Sequence, residues 1–248
     1  MTGALSALRL LTVLPIGHRE GERPARFFPL IGWVYAGLWL ALAWGAHAIG
    51  AGSGSRALVS AVVMVVASGL LSGLMHWDGI ADCADGVGVR GDAARRLDVM
   101  RTSTIGAFGT TTIVFVALAQ IAAIATVLES GVWWGLAAAP VLGRMGATLA
   151  VGLREPARPD GLGFRYASSM SVGDLMVAAI PVLPLLGWDS ETYVSLTLAT
   201  AAGLMVALVA PVPFVRRLGG VTGDVAGATI LITETVVLVM AALLGGPL

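Results

Sequence analysis

Long uncharged stretches constrain this chain more than any other feature of its sequence. Residues 57–75, ALVSAVVMVVASGLLSGLM, run for nineteen residues without a charged side chain. About 20 apolar residues cross a bilayer as a helix, and only helices and closed barrels satisfy their backbone there. Charged residues make up 12% of the chain, against about 25% in soluble domains. The sequence therefore predicts an all-α, polytopic transmembrane helical bundle that forms one integral-membrane domain over residues 1–248.

Hydropathy divides the chain into about seven predicted spans. They cover residues 28–49, 57–76, 105–128, 132–152, 172–188, 193–215 and 225–244. The fifth is short and contains Pro181 and Pro184, which predict a kink or a break. Residues 3–15 are too short to cross a bilayer, so we expect an interfacial or re-entrant helix there.

The arginines predict how these spans are oriented. Twelve arginines fall in the loops before the first span and after the second, fourth and sixth, which share one side when seven spans are threaded in order. The other side carries Arg56, Glu129, Asp189 and Glu191. Because basic loops stay in the cytoplasm, we expect a multi-pass protein of the cytoplasmic (inner) membrane, in contact with lipid, with the arginine-rich face inside.

Composition also excludes several kinds of site. All fifteen basic residues are arginine, so the chain has no Schiff-base lysine and no P-loop lysine. A formal net charge of zero gives no reason to expect a nucleic-acid partner. The single cysteine, Cys83, excludes an intramolecular disulfide and a cysteine-based zinc cluster; we expect it to be a packed residue.

Three aspartates follow the second span within HWDGIADCADG, residues 76–86. Asp78, Asp82 and Asp85 stand at i, i+4 and i+7, so a helix would project all three carboxylates from one face. Like charges repel at this spacing, and a divalent cation would remove the conflict. All-oxygen ligands favour Mg²⁺ or Mn²⁺. The three are candidate metal ligands; the alternative is a solvated acidic loop.

Two glycine-marked stretches lie on the same predicted side as the aspartates. In GGVTGD, residues 219–224, a glycine-rich turn before a helix N-terminus is typical of an anion site, which makes Gly220, Thr222 and Gly223 candidates for substrate binding. Asp224 is either a metal ligand or a helix cap. In RPDGLG, residues 158–163, Asp160 is a further candidate for substrate binding.

Four other ionisable residues are candidates, each with a structural alternative. His76 is a general base or phosphate donor, or a hydrogen-bonded helix end. Arg101 binds phosphate or anchors the helix at the membrane surface. Arg144 and Glu234 lie inside predicted spans, where charges are functional candidates by default; they bind substrate or pair with each other.

The motifs HWDGIADCADG, MRTSTIGAFG, PDGLG and GGVTGDVAGA resemble those of the cobalamin synthase (adenosylcobinamide-GDP ribazoletransferase) family, and LLTVLP and FFPLIG fit the same pattern. The resemblance covers nearly the whole chain. It implies a membrane transferase for the last joining step of coenzyme B12 nucleotide-loop assembly. Adenosylcobinamide-GDP and α-ribazole, or its 5′-phosphate, would give adenosylcobalamin or its phosphate and GMP by phosphoryl transfer. The resemblance also implies Mg²⁺, and it is compatible with a homo-oligomer or with contact with other cobalamin-pathway enzymes.

The resemblance carries over to particular residues. The acidic motif corresponds to Asp78, Asp82 and Asp85, and the aspartate of TGD corresponds to Asp224; these four would hold the metal. Asp82, Asp85 and His76 are the catalytic candidates. The family commonly has an aspartate and an arginine where Thr102 and Thr104 stand, and a carboxylate where Leu231 stands, so roles at those positions do not transfer.

Two other functions are open at this point. DGIAD partly matches the aspartate signature of CDP-alcohol phosphotransferases, phospholipid enzymes with the same chemistry, although GGVTGD does not belong to that pattern. An ion-coupled transporter would explain Arg144 and Glu234. However, transporters place such charges on paired broken helices in symmetric halves, and the sequence has no internal repeat.

Overall fold

The computed structural model describes residues 2–16, 23–102, 104–158, 170–186 and 193–245. Within these ranges the chain is helical, and its only strand-like pairing is an isolated parallel bridge between Pro156 and Val221. The predicted all-α class is confirmed. Asp160 lies outside the described residues.

The described residues form eleven α-helices and two 3-10 segments. In chain order they are α1 (Thr2–Leu11), a 3-10 turn (Pro24–Phe27), α2 (Phe28–Ala48), α3 (Gly54–Leu71), α4 (Met75–Gly88), α5 (Ala93–Val99), α6 (Ala107–Ser130), α7 (Trp134–Gly152), α8 (Val172–Ala179), a 3-10 segment (Ile180–Leu186), α9 (Tyr193–Val209), α10 (Val212–Leu218) and α11 (Gly223–Leu244).

Six of the described helical segments are long and apolar enough to cross a membrane. They agree with six of the seven predicted spans and identify a multi-pass membrane protein. The fifth predicted span is instead a shorter apolar helix, Val172–Leu186. Its α-helical part ends at Ala179 and a 3-10 segment containing Pro181 and Pro184 follows, because proline lacks the N–H that an α-helix needs. The predicted break is confirmed.

The broken segment still carries the chain from one end of the bundle toward the other. Asp174, near its start, pairs with Arg23 and Arg26 at the N-terminal end of α2. Leu185, near its end, accepts a hydrogen bond from Thr200, in the first half of α9. Since a 3-10 helix rises more per residue than an α-helix, residues 172–186 extend about 26 Å. The predicted order of seven passes is therefore compatible with the fold.

Helix α7 is the centre of the bundle. It is buried from Gly135 to Val151 and packs against α2, α9 and α11. Glycines set the closest approaches: a Cβ on Gly32 of α2 would lie 2.5 Å from the Cα of Val141, and one on Gly143 would lie 3.0 Å from the carbonyl oxygen of Ile230. Small residues bring membrane helices together in this way.

Helix α1 has ten residues, too few to span, and packs on α2 and the 3-10 turn. Its end is held by the hydroxyl of Tyr35, which donates to the carbonyl of Leu11. Just beyond it, the N–H of Val13 donates to the carbonyl of Leu71, 2.8 Å away, at the end of α3. The predicted non-spanning helix is confirmed over residues 2–11, and it lies beside the start of the aspartate motif.

Candidate active site

The aspartate motif forms a helix of its own. Helix α3 ends at Leu71, and the chain turns through Gly73 and Leu74, whose φ angles are +60° and +61°. The N–H of Leu74 donates to the carbonyl of Gly69 at 2.8 Å, a hydrogen bond typical of helix ends. The chain then restarts as α4, which carries all three aspartates at the predicted helical spacing.

Asp85 holds the beginning of the next long helix. Its carboxylate is buried and accepts hydrogen bonds from the N–H groups of Gly106 at 2.6 Å and Gly109 at 2.9 Å, in and just before the first turn of α6. A Cβ on either glycine would lie within 2.5 Å of a carboxylate oxygen. A negative charge is also favourable at a helix N-terminus. The structure thus gives Asp85 a capping role that the sequence did not predict, and explains the glycines of MRTSTIGAFG.

Replacing Asp85 by asparagine should destabilise the protein. The amide keeps one acceptor oxygen but turns a donor toward the second N–H, and an unsatisfied buried donor costs about 1–3 kcal/mol. We expect the midpoint of thermal unfolding in detergent to fall by several degrees, roughly 2–4 °C for each kcal/mol. If instead activity is lost at an unchanged unfolding temperature, Asp85 acts in the metal or catalytic role predicted from the sequence.

Asp78, Asp82 and Asp224 form the acidic group of the site. The first turn of α11 lies directly against α4, since a Cβ on Gly79 would be 2.9 Å from the carbonyl oxygen of Asp224. Partial burial, together with the nearby charges of Asp78, Asp224 and Asp85, raises the pKa of Asp82 to about 7, against the opposing effect of Arg158. The carboxylates are close enough to repel one another, as the sequence predicted.

Asp224 does not cap its helix. The side chain of Thr222 takes that place, accepting a hydrogen bond from the N–H of Val225 at 3.2 Å. The hydroxyl of Thr222 also donates to Asp224 at 3.3 Å. The capping alternative for Asp224 is therefore wrong. In the structure Thr222 caps α11 and positions Asp224, and its role in substrate binding stays a prediction.

The turn before α11 pairs with the loop after α7. The N–H of Val221 donates to the carbonyl of Glu155 at 2.8 Å, and the N–H of Ala157 donates to the carbonyl of Val221 at 3.0 Å. A Cβ on Gly220 would lie 2.4 Å from the nitrogen of Ala157, so glycine is required for this approach. Because the N–H of Val221 is bonded to Glu155, the anion-binding capacity predicted for this turn is reduced; Gly223 remains exposed.

The same pairing brings Arg158 to the acidic group, which sequence reasoning missed. The positive charge of its guanidinium lowers the pKa of both Asp82 and Asp224, against the effect of their burial. The guanidinium also donates a hydrogen bond to the carbonyl of Leu97 at 3.0 Å. In the sequence Arg158 counted only toward the orientation of the spans, although it opens the RPDGLG motif. Arg101, the predicted phosphate-binding arginine, is exposed after α5, and the described contacts do not join it to the aspartates.

His76 lies in the first turn of α4 and is buried, 3% exposed. Within the described residues its Nε2 has no hydrogen-bond partner. The alternative that His76 is a hydrogen-bonded residue at a helix end therefore finds no support at this nitrogen. Burial and the guanidinium of Arg144 lower the pKa of His76 well below 6.5, so the ring is neutral at pH 7. Cys83 is fully buried, in agreement with a packed residue.

Arg144 and Glu234 form a buried ion pair between α7 and α11, with exposures of 1% and 4%. The guanidinium also lies over the ring of Tyr35, 3.7 Å from its centroid. The predicted alternative of mutual pairing is confirmed. Their role in substrate binding stays a prediction.

The acidic group provides the oxygen ligands that Mg²⁺ prefers. No three His, Cys, Asp or Glu side chains among the described residues lie close enough to enclose a metal ion. Mg²⁺ rarely has such an all-protein cage, since it is commonly held by one or two carboxylates together with substrate phosphates. Two of the carboxylates of Asp78, Asp82 and Asp224, whose repulsion a cation would relieve, would suffice for that mode of binding.

Comparison with known proteins gives consistent matches over nearly the whole chain. The model of the cobalamin-5-phosphate synthase family matches residues 3–242. Relatives named adenosylcobinamide-GDP ribazoletransferase match over most of their length, as three of them show. The one from Roseiflexus sp. is 34% identical over 94% of this chain and 86% of its own, that from Frankia casuarinae 35% over 98% and 95%, and that from Pseudomonas savastanoi pv. phaseolicola 37% over 96% and 98%. No solved structure matches.

Proposed function

The chain belongs to the cobalamin-5-phosphate synthase family, and on this premise we propose that it transfers the adenosylcobinamide-phosphate moiety of adenosylcobinamide-GDP to α-ribazole or α-ribazole 5′-phosphate. The products are adenosylcobalamin, or its 5′-phosphate, and GMP. The substrates follow from the names of its relatives. The observation that carries the proposal is the convergence of Asp78, Asp82 and Asp224 from two helices beside Arg158.

The reaction breaks a phosphoanhydride bond and forms a phosphate ester. A hydroxyl oxygen of the acceptor attacks the β-phosphorus of the diphosphate, and the bond from that phosphorus to the oxygen bridging it to the α-phosphate breaks. GMP leaves with the bridging oxygen, while the β-phosphate remains in the product as a diester. A carboxylate of the acidic group, or His76, accepts the hydroxyl proton.

The same residues supply what phosphoryl transfer requires, which is positioning and compensation of negative charge. Two of the three carboxylates of Asp78, Asp82 and Asp224 would hold Mg²⁺ together with substrate phosphate, while Asp85 binds the start of α6 to α4. When bound, the ion would offset charge on the diphosphate and on the departing GMP. Arg158 faces the same group and would bind phosphate, as guanidinium groups do. Arg101, Asp160 and Gly223 keep their proposed roles in substrate binding.

We also propose that this end of the bundle faces the cytoplasm, in the inner membrane. The arginine-rich loops support this orientation through the positive-inside rule. Arg158 follows the end of α7 and the turn at residues 219–224 leads into the start of α11, and the bridge between Pro156 and Val221 joins the two segments at this end of the bundle. The nucleotide substrate would then reach the aspartates from the compartment in which nucleotides are made.

The two alternatives from the sequence gain no support. A CDP-alcohol phosphotransferase would not be expected to match the cobalamin-5-phosphate synthase model over residues 3–242. The intramembrane charges that suggested a transporter, Arg144 and Glu234, neutralise each other in a buried ion pair.

An assay of GMP release tests the proposal. Purified protein in detergent should release GMP from adenosylcobinamide-GDP only when α-ribazole or its 5′-phosphate is present, and EDTA should abolish the release until Mg²⁺ is restored. Parallel reactions with the two acceptors identify the working substrate. A CDP-activated lipid with an alcohol acceptor is the control, and release of CMP without release of GMP would contradict the proposal.

A further inference from the structure

An apolar cavity of about 120 Å³ lies beside the acidic group. Helices α1, α2, α4, α7 and α11 all contribute to its walls. Leu11, Phe28, Val151 and Ile230 are among the lining side chains and are buried. The proposed chemistry at the aspartates does not by itself require a cavity of this kind.

Polar groups are confined to part of the wall. Asp78 and Asp224 line the cavity, which therefore opens next to the reacting groups. His76 lines it as well, and the Nε2 of this buried ring has no hydrogen-bond partner among the described residues. An unsatisfied buried nitrogen is costly, so this atom is available to a ligand.

The lining residues fall into layers along α11. Asp224 is at the mouth, and Gly227 follows one turn deeper, where a Cβ would lie 3.4 Å from the Cα of His76. Ile230 is two turns beyond Asp224, about 9 Å into the bundle. Ala147 of α7 also lines the cavity. One turn further in, the Arg144–Glu234 ion pair closes the interior.

The size and polarity of the cavity select one part of the two substrates. A cavity of about 150 Å³ lined by Leu, Ile and Phe holds one benzene molecule, so the enclosed part of this cavity admits one six-membered ring, leaves the rest of a larger base toward its open mouth, and excludes the corrin macrocycle. Guanine carries amide and amino groups that apolar walls would leave without hydrogen bonds. The base of α-ribazole is a benzimidazole with two methyl groups on its six-membered ring and one ring nitrogen free to accept a hydrogen bond.

We propose that this cavity binds the base of the acceptor nucleoside, an assignment that depends on the proposed function. The dimethylated ring lies against Ile230 and Ala147, and the free ring nitrogen accepts a hydrogen bond from Nε2 of His76. With Nε2 engaged in this way, a carboxylate of the acidic group rather than His76 accepts the hydroxyl proton. The sugar then stands at the mouth, where Asp78 and Asp224 face its hydroxyl groups. Binding of the base thus places the attacking oxygen next to the phosphate site.

Variants of the innermost layer test the assignment. Ala147→Leu fills the space that the methyl groups would occupy, and Ile230→Ala enlarges it. Wild-type enzyme should have a KM for α-ribazole about a hundredfold or more below that for the α-riboside of unsubstituted benzimidazole, since the two differ by two methyl groups and each methyl group in an apolar pocket changes affinity by about 10-fold or more. Ala147→Leu should raise the KM for α-ribazole at least tenfold and remove the preference, with the KM for adenosylcobinamide-GDP unchanged.

The controls separate this assignment from the proposed function. Ala122→Leu makes the same change on an exposed face of α6 and should leave both KM values unchanged. If Ala147→Leu does not fold, Ile230→Ala tests the assignment instead. Because it enlarges the cavity, it should lower the KM for acceptors whose base carries larger ring substituents. Wild-type enzyme that releases no GMP overturns the proposed function. Active enzyme whose base preference is unchanged in the variants, or whose KM for adenosylcobinamide-GDP rises with that for α-ribazole, overturns the cavity assignment alone.

Discussion

Replacing Asp82 by asparagine should reduce GMP release about a thousandfold without unfolding the protein. Removal of one preorganised electrostatic contact at a reacting phosphoryl or acyl group costs about 10²–10³ in kcat, and here the same change also removes a proposed ligand of Mg²⁺. Asparagine has the same shape and relieves repulsion from Asp78 and Asp224. The unfolding temperature should therefore be equal to or above that of the wild type, while the rate of GMP release falls.

The matched control is Asp98→Asn, which makes the identical change at an exposed carboxylate on α5. It should release GMP at the wild-type rate. Measuring the rate of Asp82→Asn over a range of Mg²⁺ concentrations separates the roles of this residue: a weakened ligand raises the concentration needed for half-maximal rate. Near-normal turnover of Asp82→Asn would exclude Asp82 from the metal and catalytic roles proposed for it.

Most of the fold could be predicted from hydropathy, because a membrane chain must present long apolar helices whatever its neighbours are. The fifth pass shows the limit of that reasoning. Its two prolines predicted a break, but not that Ile180–Leu186 would form a 3-10 helix, since that depends on contacts such as the hydrogen bond from Trp33 to the carbonyl of Pro181. The pairing of Arg144 with Glu234 was recognised only as one of two alternatives.

The acidic residues of the site could be identified from the sequence, but their individual roles could not. Helical spacing treats Asp78, Asp82 and Asp85 alike, whereas the structure turns Asp85 to the N-terminus of α6, 21 residues away from it in sequence at Gly106. Arg158 was missed for a related reason. Its approach to Asp224 depends on the pairing of residues 155–157 with Val221, a long-range contact with no local signal beyond the glycines that permit it.

The second large effect is predicted at the ion pair between Arg144 and Glu234, one helical turn beyond the cavity. Replacing Arg144 by methionine should lower the free energy of unfolding by about 3–5 kcal/mol, because it leaves the carboxylate of Glu234 buried without its partner. Loss of the contact with the Tyr35 ring adds to the effect. In detergent the midpoint of thermal unfolding should fall by roughly 10 °C, at 2–4 °C for each kcal/mol in a chain of this size.

The double variant Arg144→Met with Glu234→Met distinguishes a structural pair from a substrate site. Since an apolar pair of similar volume often matches or exceeds the stability of a buried ion pair, the second substitution should restore most of the lost unfolding temperature. If the pair only joins α7 to α11, the double variant also regains GMP release. A double variant that is stable but inactive would show that Arg144 or Glu234 acts on substrate, as the sequence alone suggested, and the cavity above them would then extend to a functional charge rather than end at a structural one.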